Sequence, residues 1–136
     1  MKKQSRSDAR RAAFTQIFML SQQHDDMEQM YSAMLEEIPE CKDNIDYIKT
    51  VVEGVDKTKP ELDEIISSHL KSGWSLRRIS KASHSILLLA LYEIKYVDDV
   101  PEKVAINEAV RLANEYCDKS DVKFINGLLG AVIKEQ

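Results

Sequence analysis

The stretch "SKASHSILLLALYEIKYVDD", residues 80–99, decides the fold. From Ile86 to Leu91 every side chain is apolar, so a helix over residues 81–96 has no polar face there to turn toward water. Such a helix is central, and the rest of the chain must cover it from every side. Asp98 and Asp99 end it, and Pro101 opens the next helix, which runs to about Cys117.

The neighbouring segments have the spacing needed to cover it. Ala13, Ile17 and Leu20 form one stripe of a helix over residues 7–23, with Ser7 as its expected cap. Met27, Met30, Tyr31, Met34, Leu35 and Ile38 form a second ladder that Pro39 stops. Ile45, Ile48, Val52 and Val55 mark a third helix over residues 42–57. A fourth is expected to start at Pro60 and close at Gly73. The connector "GWSLRRIS" then leads into the central helix. Ser120 or Asp121 is expected to cap a last helix with Ile125, Leu128, Leu129, Val132 and Ile133 on its core face. No alternating strand pattern and no internal repeat is visible. About seven helical segments joined by short loops predict an all-α bundle, one domain over residues 1–136.

Composition agrees with a folded chain: 43% of the 136 residues are hydrophobic and 31% charged. The N-terminal "AAFTQIFML" is short, broken by Thr15 and Gln16, and does not read as a secretory signal. No run approaches the roughly 18 apolar residues of a membrane span. Cys41 and Cys117 stand alone, as expected of a reducing cytoplasm, and each reads as a small buried hydrophobe. His24, His69 and His84 have no partner at ligand spacing, and no nucleotide-binding or hydrolase motif occurs. No catalytic residue, metal site or cofactor is predicted; the chain reads as a binding module.

Charge indicates what it binds. Net charge is −4, yet residues 1–11 carry Lys2, Lys3, Arg6, Arg10 and Arg11 against Asp8 alone. A basic arm on an acidic body suggests a local polyanion site. In the last helix Phe124 lies beside Lys123, with Gly127 and Gly130 on the face opposite the core stripe. An aromatic next to a cation is a surface on which an unpaired base stacks. The expected interface is a continuous track from the arm to Phe124. Asn107, within "VPEKVAINEAV", is expected together with Glu108 to hydrogen-bond neighbouring helix ends.

The ordered set Ala90, Tyr92-Glu93, Val100-Pro101, Lys103 to Ala109 and Lys123 to Gly127 closely resembles the transcription antitermination factor NusB family. Arg10 with Ala13, and the connector from Trp74 to Arg78, fit the same pattern. The resemblance spans essentially the whole chain. It implies two packed three-helix bundles and binding to single-stranded boxA RNA of ribosomal RNA leader transcripts. It also implies pairing with NusE, a ribosomal protein, so that transcribing RNA polymerase reads through terminators. On that basis Lys2, Lys3, Arg6, Arg10 and Arg11 are expected to meet phosphates, and Thr15, Lys123 and Phe124 bases or sugars. Trp74, Arg77, Arg78, Ser83 and His84 are expected to face NusE. Homodimerisation through the RNA surface is left open. Many relatives carry Gln for Thr15, Tyr for Phe18, Arg for Leu88, and an acid and a base for Ser83 and His84. Two alternatives are a module acting mainly through protein partners and an accessory to an RNA methyltransferase.

Overall fold

In a computed structural model, which describes residues 3–23 and 26–135, six α-helices and two 3₁₀ segments make up the regular structure. The helices are α1 Arg6–Gln22, α2 Met27–Glu37, α3 Ile45–Ser68, α4 Lys81–Tyr96, α5 Glu102–Tyr116 and α6 Lys119–Lys134. The 3₁₀ segments are Pro39–Asn44 and Leu76–Arg78. There is no strand among the described residues.

Helix α4 is the centre, as its composition requires. Ile86, Leu87 and Leu91 have no exposed surface, and Leu88, Leu89 and Ala90 are nearly as deeply buried. Helices α1, α3, α5 and α6 all pack on it. The helices form two triplets, α1/α3/α4 and α4/α5/α6, which share α4 rather than standing as two bundles of three separate helices each. Helix α2 lies beside the 3₁₀ segment at Pro39 and reaches α3, where Tyr31 Oη donates to Glu53 at 3.1 Å.

The expected count of seven fails at Pro60. The chain passes through Pro60 as one helix, α3, instead of starting a new one there. Pro60 and Asp56, whose carbonyl loses its N–H partner, are both exposed, so water can satisfy that carbonyl. Val52, Val55, Leu62 and Ile66 keep one buried stripe across the proline, and burial of that stripe holds the helix together. Helix α3 ends at Ser68, before Gly73. Gly73, at φ +87°, sits third in the Lys71–Trp74 turn, which the Trp74 N–H closes on the Lys71 carbonyl at 2.9 Å. That position of a type II turn requires positive φ.

Two caps also differ from expectation. Ser5, not Ser7, caps α1, its Oγ accepting from the Asp8 N–H at 3.0 Å. Asp118, not Ser120 or Asp121, caps α6. Asp118 and Asp121 close a reciprocal box there: each carboxylate accepts the other's backbone N–H, at 3.0 and 3.4 Å.

Candidate nucleic-acid interface

The basic arm is largely consumed by internal pairing. Arg10 is 5% exposed, and its Nε donates to both oxygens of Glu93, at 2.9 and 3.1 Å. Its Nη1 lies 3.6 Å from Glu108. Burial alone would lower the Arg10 pKa, but the hydrogen bond and charge of Glu93 override it and hold the pKa above its usual value. Arg10 is therefore a structural cation and cannot meet a phosphate as expected. Arg11 donates to Glu115 at 2.8 and 2.9 Å and to Asp8 at 2.6 Å. Arg111 continues the network to Glu108, Glu115 and the Ser7 carbonyl, so alternating charges tie α1 to α5. Arg6 is exposed, its guanidinium 4.2 Å from the centre of the Tyr47 ring and its Nε on Asn44. Lys3 is exposed, and Lys2 lies outside the described residues.

Thr15 is half-buried, and its hydroxyl donates to the Arg11 carbonyl at 3.0 Å, which leaves its lone pairs for a ligand. Lys123 is exposed; Phe124 is half-buried against the core. A Cβ added at Gly127 or Gly130 would meet nothing within 4 Å, so this side of α6 is open. Asn107 and Asn126 are exposed, and neither side chain makes a hydrogen bond among the described residues. The expected helix-end role falls to Glu108 alone, which accepts from Ser7 Oγ at 3.0 Å.

The expected partner face divides. Trp74 is 49% exposed, and Arg77 and Arg78 are exposed. Ser83 is fully buried, its Oγ 3.6 Å from Cys117 Sγ, so it presents nothing to a partner. Leu88, where many relatives carry Arg, is buried as well. His84 is half-buried, with Nε2 2.5 Å from Asp63 Oδ1.

The continuous track from arm to Phe124 does not form as one groove. Helix α6 packs on α5 and α4, whereas α1 packs chiefly on α3 and α4. The groove that holds Phe124 is lined by no residue of α1. Instead Phe124 and Lys123 share it with Trp74 and Arg78, which sequence reading had assigned to a different partner. A second groove, of about 430 Å³ between α1 and α2, holds Arg11 and Thr15. Three exposed apolar side chains, Met19, Ile38 and Tyr116, also line it; Ile38, expected on the core ladder of α2, faces out instead.

Among the described residues no group of three or more His, Cys, Asp or Glu could hold a metal ion. No described helix is long and apolar enough to cross a membrane. The fold and surface define a helical binding module whose exposed chemistry is cations beside aromatic rings. The chain belongs to the NusB family, whose sequence model matches residues 7–134.

Solved structures agree. T. maritima NusB is 32% identical, with 99% of this chain and 94% of that one covered and a TM-score of 0.87. A crystal structure of antitermination factors NusB and NusE in complex with dsRNA is 26% identical over 96% of this chain and 97% of that one, at a TM-score of 0.85. The solution structure of NusB from Aquifex aeolicus is 28% identical over 95% and 87%, at a TM-score of 0.79.

Proposed function

We propose that this protein is a transcription antitermination factor that binds single-stranded boxA RNA of ribosomal RNA leader transcripts together with NusE. The complex then helps transcribing RNA polymerase pass terminators. The observation that carries this reading is the likeness, across nearly the whole of both chains, to a NusB solved with NusE and dsRNA; that this chain takes a single-stranded RNA is part of the proposal. The open surface supports it: Lys3, Arg6 and Lys123 are exposed cations, and the half-buried Phe124 lines one groove with Lys123. Phosphates bind the cations and set affinity, whereas contacts to unstacked bases set preference. Competition binding of boxA against scrambled RNA, with NusE present, tests the reading. A clear boxA preference is expected, and equal affinity for the two RNAs would refute it.

The engagement of Arg10 and Arg11 in internal pairs favours one second reading, in which NusE supplies most of the binding energy and RNA contacts are weak. Under that reading NusE binds the nuclease-treated protein at full strength, while the protein alone does not distinguish boxA from scrambled RNA.

A further inference from the structure

The turn before α4 and the outer side of α6 enclose a groove of about 450 Å³. Trp74 and Phe124 line it, as do Lys71, Arg78, Lys123 and Gly127. We propose that this groove is a slot for one unpaired nucleotide of RNA, its base stacked on Trp74 and Phe124 and its flanking phosphates held by Lys71, Arg78 and Lys123. The proposal rests on the RNA-binding reading above and transfers Trp74 and Arg78 from the protein-partner face to the RNA face.

Phe124 is held in place before any ligand arrives. Gly73, at its positive φ, makes the turn that projects Trp74 outward, and Phe124 is fixed against the core. The two rings are not in contact with each other, so the groove between their elements stays open. Stacking on a Phe124 ring already in position orders few side chains, which favours tight binding.

The charges select an anion. Lys71, Arg78 and Lys123 form no ion pair among the described residues, in contrast to Arg10, Arg11 and Arg111. The Arg78 guanidinium lies 6.0 Å from the centre of the Trp74 ring, so a cation borders the stacking surface. The carboxylates nearby are engaged: Asp121 in the α6 cap, and Glu135 with the His69 ring at 2.9 Å. With no Cβ at Gly127, a ribose-phosphate backbone can lie close to α6. Unpaired cations around the exposed Trp74 and the half-buried Phe124 suit phosphate and base better than the charge-depleted centre of a protein–protein interface.

Trp74 is the chain's one tryptophan, so its emission reports on the slot directly. The experiment titrates the full chain, without NusE, with single-stranded boxA RNA, and follows Trp emission and the anisotropy of end-labelled RNA in parallel. Saturable quenching is expected over the concentrations at which anisotropy rises. Trp74→Ala should weaken binding about 5-fold or more, and Trp74→Phe should restore most of it. Arg78→Ala should flatten the salt dependence by about 0.7 in log–log slope. RNA binding with unquenched Trp74 and wild-type affinity in Trp74→Ala overturns the slot while leaving the RNA reading intact. Loss of NusE binding in Trp74→Ala, with RNA affinity unchanged, returns Trp74 to the protein face and overturns it equally. No binding of labelled RNA by the wild-type chain alone overturns the slot; no binding with NusE added as well overturns both readings.

Discussion

Arg10 and Glu93 show how one pair of residues can mislead a reading based on charge alone. Arg10 is three residues before Ala13 and seven before Ile17, so it lies on the buried stripe of α1. Glu93 lies likewise on the buried side of α4, three and seven residues after Ala90 and Ile86. Two opposite charges, each at a core position of its own helix, are a legible signal that they meet. Removing one leaves the other buried without compensation, so Arg10→Ala should cost about 3–5 kcal/mol in urea unfolding. Arg6→Ala removes an exposed cation; it should change stability by less than about 1 kcal/mol and weaken RNA binding. Gly54 makes a second prediction at this scale. Alanine normally gains about 1 kcal/mol over glycine inside a helix. Here a Cβ would collide with the Tyr92 ring, which also packs on Tyr96 at 5.1 Å between ring centres. Gly54→Ala should therefore destabilise the wild type by about 1 kcal/mol and stabilise a Tyr92→Ala background. The same sign in both backgrounds would contradict this packing.

At the scale of elements, periodicity revealed the helices but not all their ends. The apolar run in α4 and the ladder of α2 are local properties, and the two helices appear where the spacing puts them. Pro60 misleads because a proline inside a helix and one at its first turn look alike in sequence; only the buried stripe running on to Leu62 and Ile66 separates them. Pro60→Ala supplies the missing N–H and should raise stability, by up to about 3 kcal/mol, as read from urea midpoints. The ends of α3 and α6 are joined by His69. Its Nδ1 lies 2.8 Å from the Ile65 carbonyl and its Nε2 2.9 Å from Glu135, so both ring nitrogens face acceptors and the protonated ring is favoured. The Ile65 carbonyl is the main cause that holds its pKa above the ordinary 6.5; burial opposes it, and Glu135 adds to the rise. Because the folded pKa is the higher one, this stabilisation is complete below the ordinary value and is lost as pH rises through the folded value. The stability gap between wild type and His69→Leu should therefore be wider at pH 5.5 than at pH 8.5. A gap that does not change with pH would show that the charge on His69 contributes nothing.

At the scale of the whole molecule, the acidic body neutralises part of its own basic arm. Glu93, Glu108 and Glu115 engage Arg10 and Arg11, and the cations left for a ligand are spread over two regions, the start of α1 and the groove beside α6. Lys123 and Phe124 were legible as a candidate site from their own adjacency. Their meeting with Trp74 and Arg78 was not, because it depends on how α6 packs against the turn after α3, and no local pattern encodes that. The central claim is that this NusB-family chain binds boxA RNA jointly with NusE through a small number of exposed cations. Filter binding of boxA and scrambled RNA, with and without NusE across a salt series, tests it most directly. The account predicts a boxA preference that NusE strengthens and, for about three engaged cations, a log–log salt slope near −2 for the chain alone. Equal affinity for both RNAs at every salt concentration, unchanged by NusE, would contradict it.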